Sequence, residues 1–401
     1  MSKGTILSRW PYRLAIAWHV GLLLAVAAPA PRAGAQVSRA VSRGEIREAL
    51  LQARASVTEH DPAATPSASM GSGPKVPAAS GPRTVRVRCA AGETIGDALK
   101  KKGQPLVVEI GGVCREDVVV ERDDVTLRGS DPLTDGVRGV GPGVSNFDGV
   151  VEVRRARGVT IENLTVTGGD RSGIAVDRSD NVTIRNCHVR DNGTRGLLAS
   201  FSSNVAAFDS TFARNGLAEL RPYNTRALNC TGCTVEASQN GVLAAGSEVG
   251  LTNSSVVAPF LALLLYDGLA FVTGSTMRDS TPDTGFSITA LDFGSISFFE
   301  SELHGALAVS DGAMFLSDTT QATNARGVNA VIGGRIVAYG TSSLLATGAL
   351  GTLMEEFGNL TLYDDTVAVT GSLECFAGGD ASCASPAQVS GTSTCGQCPK
   401  P

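Results

Sequence analysis

From Val159 onward the chain repeats one pattern of apolar and polar positions. Val-Thr-Ile-Glu-Asn-Leu-Thr-Val begins at Val159, Val-Thr-Ile-Arg-Asn-Cys-His-Val at Val182, Val-Ala-Ala-Phe-Asp-Ser-Thr-Phe at Val205 and Leu-Asn-Cys-Thr-Gly-Cys-Thr-Val at Leu228. Weaker copies begin at Val249, Ala270, Ile296, Met314, Ile336 and Leu360. The first intervals are 23 residues each and later ones run from 18 to 26. Alternate positions of a strand share a face, so the first and third positions point inward together, and so do the sixth and eighth. The fifth position holds Asn163, Asn186, Asp209 and Gly232, residues that tolerate a left-handed bend. A strand, a bend and a second strand in every repeat describe one coil of a solenoid. A single coil cannot bury its apolar face alone, so the stack is the folding unit.

Aligned down the stack, the repeats predict interior columns. The third position reads Ile161, Ile184, Ala207, Cys230, Leu251, Val272, Phe298, Leu316, Ala338 and Leu362. The eighth reads Val166, Val189, Phe212, Val235, Val256, Met277, Leu303, Gln321, Ser343 and Val367. The sixth is small and partly polar, from Cys187 and Ser210 through Ser254, Ser275 and Ser301 to Thr319 and Thr341. Inward hydroxyls of that kind can bond backbone groups along the stack and avoid the cost of burying polar atoms unpaired. The fold predicted is all-β: a parallel β-helix of about ten or more coils over residues 83–374.

Ahead of the repeat, strands are predicted at Thr84–Cys89, Leu106–Ile110, Val118–Val120 and Val125–Leu127, with a short helix over Ile95–Lys102. Thr94 and Asp97 cap that helix and Gly103 ends it. It is expected to close the open end of the sheets. Further upstream, residues 1–35 read as a secretory signal, with a basic Lys3, Arg9 and Arg13, an apolar Leu14–Ala30 and Ala33-Gly34-Ala35 before Gln36. Residues 36–82 read as a short helix carrying Ile46, Ala49, Leu50 and Ala53, then a linker rich in Pro, Ala, Ser and Gly from His60 to Pro82. Residues 375–401 read as a cysteine-rich cap.

Composition narrows the partners. Aromatics are 5% of the 401 residues and glycines number 47, which suits small-residue coils better than a helix bundle. A net charge of −5 argues against a nucleic-acid partner and against attraction to an anionic membrane. The apolar Val256–Val272 contains Pro259, Asp267 and Gly268 and reads as a buried strand rather than a membrane span. The nine cysteines of an exported chain are free to form disulfides. Cys89 and Cys114 flank the opening unit and would staple it, and Cys375, Cys383, Cys395 and Cys398 read as disulfides rather than a zinc site. Cys230 and Cys233 are close enough in sequence to pair, whereas Cys187 and Cys233 lie two coils apart, too far to bridge. The secreted, periplasmic or cell-surface compartment follows from the signal.

The repeat resembles the right-handed parallel β-helix of the pectate-lyase-like superfamily over roughly residues 83–370. Thr94 to Leu99 and Gly112 to Val118 are similar to the opening of carbohydrate-active members such as pectin esterases, with Cys114 where those carry an aromatic. The resemblance implies a right-handed β-helix, and fold alone does not fix activity. No specific enzyme family matches. Pectate lyases carry Arg-x-Pro-x-x-Arg, and here Leu220 stands before Arg221-Pro222-Tyr223-Asn224-Thr225-Arg226, a segment that reads as a turn.

The best candidate chemistry lies on two early coils. Gly169-Asp170-Arg171-Ser172-Gly173 and Asp191-Asn192-Gly193-Thr194-Arg195-Gly196 occupy matching offsets. Asp170, Asp191 and Arg195 are the catalytic candidates, and Arg171, Asp177 and Asn192 the candidate ligand contacts beside them. Carboxylates near arginines suit uronate binding, calcium coordination or acid–base work, against the plainer reading of a solvated loop ridge. No metal ligand set and no cofactor is implied otherwise. Phe299, Tyr339 and Tyr363 fall at the outward fourth position, where rings can stack on sugars or be covered by protein. The expectation is an exported β-helix protein that binds polysaccharide or cell-surface glycan, or serves a structural role. The alternative is a divergent lyase or hydrolase of acidic glycans.

Overall fold

The computed structural model describes residues 81–103, 105–141, 148–280, 286–317, 320–324, 328–331 and 333–338, then the backbone of short strands as far as residue 390. Contacts divide the chain into Met1–Pro77 and Ala78–Pro401, and every described residue belongs to the second unit. The signal, the 36–82 helix and linker except Gly81 and Pro82, Tyr339, Tyr363, Cys395 and Cys398 lie outside the described residues, as do the side chains of Cys375 and Cys383.

Each coil contributes one strand to each of three parallel sheets. Sheet A runs from Arg83–Arg88 to Asp380–Cys383 and has 14 strands; sheet B runs from Val113–Arg115 to Gln388–Ser390 and has 13; sheet C runs from Val118–Val120 to Leu373–Cys375 and has 12. Every strand pairs with its counterparts in the coils before and after it. The fold is therefore a right-handed parallel β-helix with almost no helix. Sheets A and B run past residue 375, and coil strands occupy part of the segment that sequence assigned to a cap.

The interior columns form by register. Ile161 pairs with Ile184, Ile184 with Ala207, Ala207 with Cys230, Cys230 with Leu251, Leu251 with Val272 and Val272 with Phe298. The column then continues through Leu316 and Ala338 to Leu362. Between sheets A and B the chain turns on Asn163, Asn186, Asp209, Gly232, Asn253, Gly274 and Glu300, all at positive φ between 46° and 65°. The hydroxyl row behaves as expected: Ser210 Oγ accepts from the Cys187 amide (3.1 Å), Ser254 Oγ from the Cys233 amide (3.1 Å) and Ser275 Oγ from the Ser254 amide (3.0 Å).

One column slips. Leu303 pairs with Ala322, Ala322 with Leu344 and Leu344 with Val369, so the register carries the column to Ala322 and leaves Gln321 exposed, while the Ser343 side chain and Val367 lie outside the described residues. The bend after Ser317 holds one residue more than its predecessors. Thr320, not Thr319, supplies the hydroxyl to the Ser301 amide (3.5 Å). The buried Ser317, assigned to the outward fourth row, instead donates to the Phe298 carbonyl (2.9 Å).

At the N-terminal end Cys89 and Cys114 are disulfide-bonded. The helix covers Ile95–Leu99 and stops short of Lys102 because Arg122 takes the carbonyls of Leu99, Lys101 and Gly103. Cys230 and Cys233 form a second disulfide within one coil. Among the described residues Cys187 is the free cysteine, and burial pushes its thiol up to about 12. No helix among the described residues is long and apolar enough to cross a membrane.

Candidate functional site on the outer face of sheet C

Sheet C differs from its neighbours because its strands are apolar or buried at nearly every position. Ser172–Asp177, Arg195–Ser200 and Ala218–Tyr223 are buried along almost their whole length. Their inward residues stack as Val151, Ile174, Leu197, Leu220, Val242 and Leu263. The residues between them face out. One outward row reads Glu152, Ala175, Leu198, Arg221, Leu243, Leu264 and Thr289. The next reads Arg154, Asp177, Ser200, Tyr223, Ala245 and Tyr266. Arg221-Pro222-Tyr223 thus lies within a strand, not in the turn expected of a proline segment, and Pro222 pairs with Ala199.

The two rows carry opposed charges at their N-terminal end. Arg154 reaches Glu152 at 2.6 Å and Glu121 at 3.3 Å. Burial raises the Glu152 carboxyl above its usual range; Arg154 opposes the shift, and Asp148 and Asp177 add to it. Ser200 Oγ donates to Asp177 at 3.2 Å. One coil further, burial and then the neighbouring Arg195 lower Arg221 to about 10. Arg221 donates to the Leu243 carbonyl at 3.1 Å and has no carboxylate partner among the described residues. Burial lowers Arg195 in the same way. A half-buried guanidinium beside a second one favours an anion between them. Further along, the face turns apolar, with Ala218, Leu243 and Leu264 packed against Leu261 and Leu291.

The candidate residues on the two early coils do not gather on one edge. Asp177 and Arg195 stand on sheet C. Asp170 is exposed in the loop before it. Arg171 donates to the Gly141 carbonyl (2.9 Å) and lies 3.4 Å from Asp117, so it fastens one loop to another. Asp191 faces sheet B, where Arg214 grips it at 2.9 Å and holds its carboxyl below the usual range.

Asn192 is buried inside the corner between sheets B and C. Its amide donates to the Val166 carbonyl (3.3 Å) and to Asn215 Oδ1 (2.9 Å), which commits it to the interior. The ladder continues from Asn215 to Glu219, which accepts from the Asn215 amide at 3.0 Å. Burial raises Glu219 to about 7 against these bonds. Sequence reasoning missed Glu152, Arg154 and Arg221, because strands buried on both faces show no alternation to mark an outward residue. Phe299 is half-buried on the outer face of sheet A, on the same face where Arg185 lies 5.1 Å over Phe208. Among the described residues no group of three or more His, Cys, Asp or Glu is placed to hold a metal ion.

A family model agrees with this architecture. The β-helix family model, described as a right handed beta helix region, matches residues 144–281. No curated protein matches the chain by sequence. An alginate lyase from Paenibacillus sp. is 12% identical, covers 71% of this chain and 99% of its own, with a TM-score of 0.32. A mannuronan C-5 epimerase A-module from Azotobacter vinelandii is 13% identical, covering 75% and 93%, with a TM-score of 0.45. The catalytic domain of an α-1,3-glucanase is 12% identical, covering 78% and 69%, also at 0.45. With its three parallel sheets and the matched region in its middle, the chain is a right-handed parallel β-helix repeat protein.

Proposed function

We propose that this is an exported protein that binds an acidic polysaccharide along the outer face of sheet C. The observation that carries the reading is Arg221, a half-buried guanidinium on the strand next to that of Arg195, without a carboxylate partner among the described residues. A carboxylated or sulfated sugar would supply the missing anion. Asp177, Ser200 and Tyr223 in the adjoining row offer acceptors and donors for hydroxyl groups. Phe299, half-buried on the outer face of sheet A, offers a further stacking surface for the same chain.

A catalytic reading has one observation in its favour. Burial, with Asp148 and Asp177 adding to it, raises the Glu152 carboxyl above the usual carboxylate range, which suits a group that gives up a proton in acid–base work. Measured affinity of the full chain for polygalacturonate, with dextran as neutral control and with and without calcium, tests both readings. Arg221→Ala is expected to weaken polygalacturonate binding about tenfold, the worth of one charge-assisted hydrogen bond, with Arg221→Lys in between. Binding that Arg221→Ala leaves unchanged would sink the sheet C reading. Release of unsaturated uronate or new reducing ends would establish catalysis.

A further inference from the structure

A second feature lies on the outer face of sheet B and is not used by the reading above. Strand register places Arg115 next to Arg138, Arg138 next to Thr167 and Thr167 next to Arg190. All point outward, since Cys114, Val137, Val166 and Val189 between them form the interior column. Strands in a sheet lie about 4.8 Å apart, so this row spans about 14 Å along the solenoid axis. Arg115 and Arg138 are exposed and have no ion-pair partner among the described residues. Arg190 pairs with Asp191 at 3.3 Å, so Arg115 and Arg138 are the two arginines of the row that run unneutralised against a chain charge of −5.

Arg138, Thr167 and Arg190 of this row line a groove, with Asp191, already held by Arg190 and Arg214, at its edge and Arg115 on the strand adjoining it. A volume of about 470 Å³ is enclosed between Thr165, Thr167, Arg138 and Arg190 on the strands and Pro132 and Leu133 on an overhanging loop. That loop is pinned in place. The Asp135 carboxylate accepts from the amides of Gly112 (2.8 Å) and Ser130 (2.7 Å) and from the Ser130 hydroxyl (2.6 Å). Thr165 Oγ1 donates to the Pro132 carbonyl at 2.5 Å. Leu133 is 79% exposed at the rim. Gly168, at φ +79°, leaves room for the Arg138 stem, which would touch a Cβ there at 3.1 Å.

We infer that this groove is a second binding site, for a linear anionic sugar chain. Spaced guanidinium groups suit carboxylates or sulfates repeated along a polymer. Threonine hydroxyls suit sugar hydroxyls, and the Leu133 and Pro132 rim suits the less polar face of a ring. Single-stranded nucleic acid would ask for aromatic stacking platforms, and the groove lining has none.

The test is the affinity of the full chain for polygalacturonate and chondroitin sulfate, against single-stranded DNA of matched charge and anionic phospholipid vesicles. Arg138→Ala is expected to weaken glycan binding about tenfold, and Arg115→Ala with Arg138→Ala together by more. The log-affinity against log-salt slope should fall with each arginine removed. Both residues are exposed, so unchanged thermal unfolding of the variants verifies that the fold is intact. Glycan binding that survives both substitutions but is lost in Arg221→Ala would overturn the groove and leave the sheet C reading standing. Glycan binding lost with the groove arginines but indifferent to Arg221→Ala would do the reverse. DNA or vesicles bound as tightly as the glycans would also overturn this assignment, as would no binding to either glycan.

Discussion

Sheets A and B on one side and sheet C on the other are built from the same coils by different rules. In sheets A and B one face meets the core and the other meets solvent, so apolar and polar residues alternate, and the bends are marked by Asn, Asp and Gly at positive φ. In sheet C most outward residues are buried as well, with Asp177, Arg221 and Tyr223 left partly exposed, and strands such as Ser172–Asp177 read as nearly continuous buried runs. Regularity on the first side supports stacking. The loss of regularity on the second lets charged residues such as Glu152 and Arg221 sit at outward positions without disturbing the pattern, and there the environment shifts their protonation. The molecule thus keeps its periodic face for structure and places its perturbed charges on the aperiodic one.

The comparison predicts that the interiors of the two kinds of sheet contribute alike, however differently they read in sequence. Ile184 of sheet A and Leu197 of sheet C belong to the same coil, and both are fully buried. Ile184→Ala and Leu197→Ala are each expected to cost about 3 kcal/mol, as large-to-small core changes do. Denaturant unfolding measures both. A Leu197→Ala cost below about 1 kcal/mol would mean that sheet C is a loosely packed flank.

The next largest effect belongs to the corner between sheets B and C. Glu219 titrates at about 7 in the fold, against about 4.3 in an unfolded chain. Between those values the folded protein keeps a proton that the unfolded chain has released. Stability is therefore lost as pH rises from about 4 to about 7, by about 3 kcal/mol, and is level above that. Glu219→Gln is expected to flatten this slope in unfolding experiments from pH 4 to 8. A slope that persists in Glu219→Gln would place the titrating group elsewhere.

How far the sequence reaches follows from the same contrast. The third-position column is legible to Leu362 because one-sided burial imposes a period, and a misplaced residue would put a whole strand's side chains on the wrong face. The eighth column fails at Gln321 because a single added residue in the bend after Ser317 resets it, and nothing in the local composition marks that addition. Asp170 lies one coil from Gly193, next in sequence to Asp191 and Asn192, yet the backbone sends the three to a loop, to Arg214 and to the interior. Matching position along a coil does not fix which way a side chain leaves it. Arg221 was hidden by Pro222, which signals a turn in most strands but here occupies an inward place in a central one.

The smallest effect tests the periodic side at its bends. Asn186 holds φ +46° between sheets A and B, and its amide donates to Asn163 Oδ1 at 2.8 Å in the coil below. A left-handed conformation costs an ordinary side chain about 1–2 kcal/mol, and glycine almost nothing. Asn186→Ala is therefore expected to cost about 1 kcal/mol and Asn186→Gly less than half of that, because the exposed amide bond contributes little in water. Glu300 occupies the same bend in a later coil at φ +48°, with a side chain less suited to it. Glu300→Asn is expected to stabilise the protein by about 0.5 kcal/mol, reversing the sign seen at Asn186. Shifts of opposite sign in the unfolding midpoint would make backbone conformation the reason asparagine recurs in this row. A large loss in Asn186→Gly would instead assign that role to the side-chain ladder.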